Sequence, residues 1–408
     1  MITLALRKHY DLGRERHESS LGLSCPNMNN SQPRIAFLVH SLGLGGAERT
    51  TVKLANRFAA EGWEVLVITS ADDSTDVFQL APQVERHILK CHRPSGLRAG
   101  PWSFACRIGE IRSALKRFQP QTLVCMMTTA NVLGTLAALR LPVCVIISER
   151  NWPGRQGTRL PWRVLRKRVY RQADHFAAQT SEGADWVREH LGLRAVTVIP
   201  NAVSVPIPVD TSRPCPEPES DGQKLILAVG TKPYQKGFDL LLQAIVPHLQ
   251  REPDWSLVVL GIDQERLLGQ LSETHQTGER PDLPLDRIRA LGEVGNAGAW
   301  YDAAEIFVLS SRFEGFPNVL VEAMAHGCAS VAFACPTGPA EIINDKDTGL
   351  LVPNGDISAL SIAIRGLMQD AEARGRLGDR AKGVLSRYSE DAVFALWSEV
   401  VSASPVNP

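Results

Sequence analysis

The 408-residue chain lacks long hydrophobic runs and is poor in aromatic residues, which make up 6% of its composition. No run approaches the roughly 18 apolar residues of a membrane-spanning helix, so we do not expect an integral membrane protein. The apolar stretch from Ile2 to Leu6 is also too short for the apolar region of a signal peptide. A soluble protein is therefore expected, and its length favours two domains, because one core seldom serves so many residues.

Cysteine patterns that mark metal sites or redox motifs are missing as well. The eight cysteines form no C-x-x-C pair and no cluster with histidine. Several of them, such as Cys125 and Cys144, lie inside apolar runs. We therefore predict free, buried thiols in a reducing compartment.

The net charge is zero overall, but the two halves of the chain differ in sign. Residues 1–205 hold 27 Lys and Arg against 16 Asp and Glu, whereas residues 206–408 hold 17 against 28, which gives +11 and −11. This asymmetry indicates two bodies with different partners, and the basic half favours an anionic surface or a phosphate-bearing substrate. No motif of a DNA- or RNA-binding domain is present, so no nucleic-acid partner is expected.

Short apolar runs alternate with helical stretches along both halves. Strands are predicted at 35–39, 64–68, 123–126, 144–147, 175–178 and 196–199, and then at 225–229, 257–260, 306–309, 330–333 and 349–352. This alternation predicts an α/β fold with Rossmann-like, doubly wound parallel sheets. Five prolines between 204 and 222 indicate a linker. We place a poorly ordered leader at 1–32, the first domain at 33–205, the linker at 206–222 and the second domain at 223–388.

A glycine-rich turn with Gly43, Gly45 and Gly46 follows the first strand and precedes a helix. It matches the start of the dinucleotide-binding pattern, but Glu48 occupies the third glycine position, which disfavours an NAD-dependent enzyme. A loop that admits a phosphate or an acceptor to the backbone is one interpretation. A simple strand-to-helix turn is the other.

Two further features of the first half also have alternative interpretations. Glu149 and Arg150 follow a strand, so they lie at the sheet edge where α/β proteins bind ligands, unless they form only an ion pair there. The segment 159–171 contains six Arg or Lys residues and predicts a helix that contacts an anionic membrane surface, or one that packs on its own domain. Its apolar residues are spaced along one helical face: Trp162, Leu165 and Val169.

Two carboxylates bracket a tight turn in the second half. Glu314 follows a predicted strand, residues 315–319 form the turn, and Glu322 falls about one turn inside the next helix. The N-terminus of such a helix offers unpaired N–H groups and a positive dipole to an anion. Carboxylates accept hydrogen bonds from the hydroxyls of a sugar or ribose instead. This combination indicates a nucleotide-sugar pocket.

A second glycine turn supplies a cation. Lys236 precedes Gly237 after the strand at 225–229, and its ammonium group is suited to a diphosphate. Lys232 lies in the same turn, although contact with solvent alone is the alternative for a single exposed lysine.

Taken together, these motifs resemble those of the retaining family 4 glycosyltransferases of the GT-B fold. The resemblance covers residues 34–400 and rests on Gly43-Leu44-Gly45-Gly46-Ala47-Glu48, Ile199-Pro200-Asn201, Gly230 with Gln235-Lys236-Gly237, Glu314-x7-Glu322 and Gly338-Pro339-Ala340-Glu341. It implies two Rossmann-like domains that face each other across a cleft, where the first binds the acceptor and the second binds the nucleotide sugar. The final helix, within 389–408, would cross back to the first domain.

The resemblance also implies roles for single residues. Glu322 would hold the ribose hydroxyls, Glu314 the donor sugar and Lys236 the diphosphate, so Glu314 and Lys236 are the predicted catalytic residues. The other predicted donor-binding residues are Gly230, Thr231, Lys232, Gly315, Phe316, Pro317, Asn318, Val319 and Glu341. The predicted acceptor or phosphate loop comprises Gly43, Gly45, Gly46, Glu149 and Arg150. One position departs from the family, because Thr231 stands where an arginine is usual; Lys232 would then supply the charge.

The expected function is retaining transfer of a sugar from a nucleotide-diphosphate sugar, with UDP as the nucleotide, to a hydroxyl of a glycan or lipid-linked acceptor in polysaccharide or lipopolysaccharide biosynthesis. The expected location is the cytoplasm, with peripheral contact to the inner face of the membrane.

The D-x-D sequence at 345–347 matches metal-dependent glycosyl transfer but is better interpreted as a polar turn, so neither a metal nor a cofactor is expected. A sugar-nucleotide epimerase on the same scaffold and a non-catalytic nucleotide-sugar-binding protein are the alternatives.

Overall fold

A computed structural model describes residues 32–43, 45–90, 101–152, 154, 160–218, 222–274 and 284–403. Within the described residues, the unit that starts at Pro33 carries two sheets, and all that follows concerns this unit. The predicted leader at 1–32 lies outside the described residues except for Gln32.

The first half of the chain forms a seven-stranded parallel sheet in the order β3-β2-β1-β4-β5-β6-β7. Its strands are β1 Arg34–Val39, β2 Glu64–Thr69, β3 Val84–Ile88, β4 Thr122–Met126, β5 Cys144–Ser148, β6 His175–Ala178 and β7 Val196–Val198. Its helices are α1 Gly46–Ala60, α2 Pro101–Phe118, α3 Thr128–Ala138, α4 Leu160–Tyr170 and α5 Ser181–Leu191.

The second half forms a six-stranded parallel sheet in the order β10-β9-β8-β11-β12-β13. Its strands are β8 Lys224–Val229, β9 Trp255–Leu260, β10 Ile288–Ala290, β11 Ala304–Leu309, β12 Ala329–Phe333 and β13 Leu350–Val352. Its helices are α6 Pro233–Lys236, α7 Phe238–Leu249, α8 Gln264–Thr274, α9 Ala297–Ala303, α10 Asn318–Ala325, α11 Pro339–Ile342, α12 Ile357–Gln369, α13 Ala371–Ala381, α14 Leu385–Tyr388 and α15 Glu390–Ser402.

Both faces of each sheet are covered, which explains why the central strands are continuous apolar runs. In β1, Ala36 and Leu38 pack into one apolar cluster, whereas Ile35 and Phe37 pack into another. Successive side chains of a strand point to opposite faces, so one strand serves two cores. The predicted fold class, two doubly wound parallel sheets, is confirmed.

Two strands were not expected from the sequence. β3 and β10 lie at sheet edges, and each contains charged residues. Val84 is the fully buried residue of β3, and Ile288 that of β10. A search for apolar runs misses such strands, because an edge strand contacts solvent as well as the core.

The last described helix returns to the first half. In α15, Trp397 is buried in an apolar cluster with residues of β1, and the ring of Phe394 lies 4.9 Å from that of Phe58 on α1. An ion pair at 2.7 Å joins Lys53 Nζ of α1 to Glu390 Oε1 of α15. α15 therefore packs on the first sheet although it follows the second in sequence.

The cysteines follow the prediction only in part. Four of the described cysteines are free and buried: Cys125, Cys144, Cys328 and Cys335. Burial raises the pKa of the Cys328 thiol to about 12, so this thiol stays protonated and unreactive. Cys215 is free but exposed, and Cys106 is disulfide-bonded, so the prediction is wrong for these two residues. Apolar neighbours in sequence do not show whether a second cysteine lies within bonding distance.

The basic segment forms α4, and its apolar side faces the core of its own half. Val169 is buried, and Leu165 packs against the same cluster, whereas Lys167 and Arg168 are exposed. Arg159 and the side chain of Trp162 lie outside the described residues. Over the described ranges, no helix has both the length and the apolar character that crossing a membrane requires.

Candidate active site

Three loops of the second half meet at the carboxyl edge of its sheet. They follow β8, β11 and β12, which are neighbours in the sheet, and ligands of parallel α/β sheets bind at this edge. The N–H of Arg312 donates to the carbonyl of Gln235 at 2.8 Å, and the N–H of Glu314 donates to that of Pro336 at 2.7 Å. These bonds fix the three loops relative to one another.

Two glycines bring Lys236 close to the end of β8. Gly237 has a φ of +62°, and a Cβ added there would lie 2.1 Å from the carbonyl oxygen of Ser310. A Cβ at Gly230 would lie 2.4 Å from Cγ of Lys236. Side chains at these positions would displace the lysine or the neighbouring loop, so the backbone here requires glycine.

Glu314 is 5% exposed and is held by side chains of its own half. Its Oε1 accepts hydrogen bonds from Lys236 Nζ at 2.8 Å and from Ser311 Oγ at 2.6 Å. Its Oε2 has a longer contact, 3.5 Å, with Gln235 Nε2. A buried carboxylate needs such a counter-charge, and Oε2 retains capacity for the hydroxyl of a ligand.

Glu322 is held by residues of both halves. Its Oε1 accepts from Arg49 Nη2 of α1 at 3.2 Å, and its Oε2 accepts from the hydroxyl of Tyr301 at 3.1 Å. Burial, together with the neighbouring Glu322 carboxylate, raises the pKa of Tyr301 well above 10. The tyrosine is therefore a permanent hydrogen-bond donor at physiological pH.

Between the two carboxylates, the turn leads into α10. Asn318 is the first residue of α10, and Pro317 before it makes no side-chain cap. Phe316 is buried and its ring lies 5.6 Å from that of Tyr388, while Val319 is half-buried against the apolar cluster below. The start of α10 thus keeps its positive dipole end free of a capping side chain.

Thr231 and Lys232 lie at the entrance of α6, and both are exposed. Lys232 precedes the first residue of this single-turn helix and makes no side-chain cap. The structure therefore leaves the Lys232 ammonium group in solvent, whereas Lys236 is tied to the buried Glu314.

Glu341 lies at the predicted edge but contacts the first half. Its Oε2 accepts from the N–H of Ser181 at 2.8 Å, and its Oε1 from the N–H of Glu182 at 3.1 Å. It therefore caps the start of α5, where a carboxylate complements the helix dipole. Donor binding by Glu341 would require these two bonds to break, and that role stays a prediction.

The glycine turn of the first half faces the start of α10. Gly43 is buried, and Gly45 precedes α1 without a side-chain cap. A Cβ at Gly46 would lie 3.8 Å from Nδ2 of Asn318. The N-termini of α1 and α10 are thus close together, and both offer a positive dipole end to the space between the halves.

Arg150 and Glu149 have different partners, so they do not behave as a simple edge ion pair. Arg150 is 8% exposed and hydrogen-bonds Asn201 Oδ1 and, at 3.3 Å, Thr50 Oγ1. Asn201 Nδ2 in turn donates to Asn318 Oδ1 at 2.7 Å. Burial lowers the pKa of Arg150 to about 10, and its Nε has no partner within the described chain.

Glu149 is buried and points towards α3 and α4. Its carboxylate accepts from Thr128 Oγ1 at 2.9 Å and from the hydroxyl of Tyr170. Burial is the main reason why the pKa of Tyr170 lies well above its ordinary value, and Glu149 adds to the effect. Glu149 therefore anchors the loop after β5 at the cleft.

Three residues at the site received no role from the sequence: Arg49, Asn201 and Tyr301. Arg49 directly follows Glu48 of the first glycine motif, and Asn201 ends the Ile199-Pro200-Asn201 motif, so proximity to known motifs was the available signal. Tyr301 had no such signal.

The turn at 345–347 is held by protein groups. Asp345 Oδ1 accepts from the N–H of Leu351 at 2.9 Å, and Asp347 pairs with Arg380. In the part of the chain that the structure describes, no group of three His, Cys, Asp or Glu side chains is placed to hold a metal ion.

Comparison with known proteins identifies both halves. Residues 44–205 match the family model described as Glycosyltransferase Family 4, and residues 223–370 match the model described as Glycosyl transferases group 1.

Individual relatives agree with these matches. The GalNAc-alpha-(1->4)-GalNAc-alpha-(1->3)-diNAcBac-PP-undecaprenol alpha-1,4-N-acetyl-D-galactosaminyltransferase of Campylobacter jejuni is 24% identical over 371 residues, which are 90% of this chain and 98% of that protein. A lipopolysaccharide core biosynthesis mannosyltransferase of Rhizobium meliloti is 31% identical over 186 residues, 45% of this chain and 51% of that protein. The crystal structure of Anabaena HepE in complex with UDP has the same fold, with a TM-score of 0.72, 18% identity, and coverage of 91% of this chain and 100% of that one.

Proposed function

Because this chain belongs to the family 4-type glycosyltransferases with the GT-B fold, we propose that it transfers a sugar, with retention, from a UDP-sugar to a hydroxyl of a glycan or lipid-linked acceptor. We place this reaction in polysaccharide or lipopolysaccharide assembly. The names of the Campylobacter and Rhizobium relatives support the pathway class, and the UDP bound to HepE supports the nucleotide.

The observation that carries the proposal is the placement of three chemically different groups around one turn. Lys236 is a cation, the start of α10 is a dipole end without a capping side chain, and Glu322 is a hydroxyl acceptor. A diphosphate requires the first two, and a ribose requires the third. One of the three N–H groups of the Lys236 ammonium donates to Glu314, and the other two are available to phosphate oxygens.

The residues then divide the chemistry between the leaving group and the sugar. The bond between the anomeric carbon and the phosphate oxygen breaks, and its electron pair stays on the UDP that leaves. Lys236 and the amides at the start of α10 stabilise this growing negative charge. The acceptor oxygen attacks from the same face, and its proton passes to the departing phosphate oxygen. Glu314 Oε2 would hold a hydroxyl of the donor sugar meanwhile.

Lys236 and two helix N-termini supply the positive field for the leaving group, so we propose that transfer is independent of metal. Turnover in the presence of EDTA should equal turnover with added Mg²⁺ or Mn²⁺. Loss of turnover in EDTA that either ion restores would overturn this part of the proposal.

The central experiment incubates the purified protein with a panel of UDP- and GDP-sugars and follows nucleotide release by mass spectrometry. We expect release of UDP from one donor, and we expect Glu322→Ala to abolish it. Glu265→Ala, on the exposed side of α8, is the matched control and should behave as wild type. Full turnover by Glu322→Ala would contradict the assignment. Conversion of a UDP-sugar without release would indicate an epimerase, and donor binding without turnover would indicate a non-catalytic binding protein.

We also propose that the protein works at the inner face of the cytoplasmic membrane, with the exposed basic side of α4 in contact with anionic lipid. Lys167 and Arg168 are exposed there, whereas the apolar side of α4 packs inward. Each basic side chain near such a surface contributes about 1 kcal/mol. Flotation with phosphatidylglycerol vesicles should weaken severalfold in Lys167→Gln/Arg168→Gln. It should not change in the control Arg251→Gln/Arg365→Gln, and equal flotation of all three proteins would remove the claim.

A further inference from the structure

Arg150 and Arg374 are buried to nearly the same extent, but they differ in their counter-charge. Arg374 is 7% exposed, and its Nε donates to Glu305 Oε2 at 2.9 Å. Arg150 is 8% exposed, and none of the described carboxylates forms an ion pair with it. The hydrogen bonds of its guanidinium run to neutral oxygens, those of Asn201, Thr50 and Ser148. Buried charges in proteins are normally paired, because a buried cation without a counter-charge is costly.

The neighbouring Glu149 does not supply the missing charge. Its carboxylate accepts from Thr128 Oγ1 at 2.9 Å and from the hydroxyl of Tyr170. Burial lowers the pKa of Arg150 to about 10, whereas a carboxylate in contact with the guanidinium would raise it. In addition, Arg150 Nε is buried without a hydrogen-bond partner among the described residues. The guanidinium thus keeps an uncompensated positive charge and an N–H group that an anion would satisfy.

Arg150 lies beside the start of α10. Asn201 Oδ1 accepts from Arg150 Nη2, and Asn201 Nδ2 donates at 2.7 Å to Oδ1 of Asn318, the first residue of α10. The backbone is also close to the donor turn, because a Cβ added at Gly315 would lie 3.2 Å from the carbonyl oxygen of Arg150. One amide side chain therefore separates the Arg150 guanidinium from the helix end at which we place the diphosphate.

The charged side chains assigned so far to the donor pocket cancel one another. Lys236 pairs with Glu314, and Arg49 pairs with Glu322, so these four side chains offer no net positive charge. Lys232 is exposed to solvent. Each phosphate of a bound nucleoside diphosphate is ionised at neutral pH, and further charge grows on the oxygen from which the sugar departs. The ends of α1 and α10 offset only part of this charge, since each carries about half of a positive charge.

We propose that Arg150 is the further cation of the donor site, that its guanidinium binds the phosphate bonded to the sugar, and that a phosphate oxygen replaces Asn201 Oδ1 as its acceptor. The inference rests on the proposed glycosyl transfer and adds a residue of the first half to the leaving-group site. A guanidinium is suited to this contact, because it presents two parallel N–H groups to two phosphate oxygens. When the bond between the anomeric carbon and the phosphate oxygen breaks, its electron pair stays on that oxygen, and Arg150 stabilises the charge there.

The test compares the binding of UDP with that of uridine by calorimetry, in wild type and in Arg150→Met. Uridine has no phosphate, so its Kd should not change, whereas the Kd of UDP should rise about tenfold. Nucleotide release from the UDP-sugar should fall further, by about 100-fold, because the leaving group carries more charge in the transition state than in the bound donor. Arg150→Lys keeps the charge but not the planar pair of N–H groups, so it should recover part of both losses.

Stability separates this role from a structural one. Arg150→Met removes an unpaired buried charge, so the midpoint of urea denaturation should not fall. In Arg374→Met the midpoint should fall, because Glu305 and two carbonyl groups of α12 lose their donor. Arg194→Met is the matched control for charge. It removes an exposed cation of the first half, ahead of β7, and should bind UDP as wild type does.

The outcomes separate this inference from the proposed function. If wild type binds no UDP and releases no nucleotide from any donor, glycosyl transfer itself fails. If wild type is active and Arg150→Met matches it in UDP affinity and in nucleotide release, Arg150 does not bind the phosphate. Equal weakening of UDP and uridine binding in Arg150→Met would also overturn the inference, because such a loss does not depend on the phosphates.

Discussion

Glu314 and Glu322 are separated by seven residues of one turn and helix, yet their surroundings differ. Lys236, Ser311 and Gln235 hold Glu314, and all of them belong to the second half. Glu322 shares a hydrogen bond with Arg49 from the first half. The second half alone therefore sets the position of Glu314, whereas the surroundings of Glu322 depend on contact between the halves. Residues of its own half thus organise Glu314, whereas residues of both halves organise Glu322.

The largest effect is expected at Glu314, which side chains of its own half hold in place. Glu314→Gln removes the counter-charge of a mostly buried lysine, so the free energy of unfolding should fall by about 3 kcal/mol. Nucleotide release should fall by about 100-fold or more. The donor sugar loses the carboxylate that accepts a hydrogen bond from its hydroxyl, and Lys236 loses the ion pair that positions it. Urea denaturation and initial-rate measurements check both.

The double variant Glu314→Gln/Lys236→Met is the control for this prediction. It removes both charges, so stability should recover while activity stays lost. Recovery of activity in the double variant would contradict the role given to Lys236.

A smaller effect is expected from the tyrosine that holds Glu322. Tyr301→Phe removes the 3.1 Å hydrogen bond from the tyrosine hydroxyl to Glu322 Oε2. Because this bond is made to a charged carboxylate, the donor Kd should rise about tenfold. Calorimetric titration with UDP checks this value. An unchanged Kd would show that the position of Glu322 does not depend on Tyr301.

The same tyrosine predicts a pH dependence. Its pKa is raised above 10 in the folded protein, mainly by burial, so above pH 10 the unfolded chain loses a proton that the folded protein keeps. The free energy of unfolding should therefore fall as the pH rises beyond 10. In Tyr301→Phe this fall should be smaller, although Tyr170 and Tyr388 still contribute to it. Urea denaturation at pH 8 and near pH 11 gives the free energy of unfolding of both proteins. An equal fall between the two pH values in wild type and in Tyr301→Phe would contradict the prediction.

The smallest effect is expected at the contact between the halves. If the ribose competes with Arg49 for Glu322 Oε1, Arg49→Met should tighten UDP binding by up to about fivefold. This factor corresponds to the free energy that a partly exposed ion pair contributes, up to about 1 kcal/mol. Lys53 lies one turn further along α1 and contacts Glu390 instead, so Lys53→Met is the matched control. Weaker binding in Arg49→Met would show that Arg49 itself contacts the nucleotide.

The sequence sufficed for features that short segments determine. Apolar runs located the central strands, and a turn between a strand and a helix located Glu314 and Lys236. Contacts between distant segments did not follow from it. Arg49 and Glu322 are 273 residues apart, so no local pattern could join them. The same holds for the contact of Glu341 with the start of α5, 160 residues away in sequence. The edge strand β3 was missed because it contains charged residues and only its first residue is fully buried.

The return of α15 to the first sheet has a consequence for synthesis of the protein. The strands of the first sheet end at Val198, but Trp397, which completes one of its cores, is made almost two hundred residues later. Until then the ribosome-bound chain exposes the apolar surface around Phe58 that α15 will cover. Such surfaces invite aggregation and chaperone binding. Nascent chains stopped before residue 390 should therefore hold a first half that is still sensitive to protease, even though its own sequence is complete.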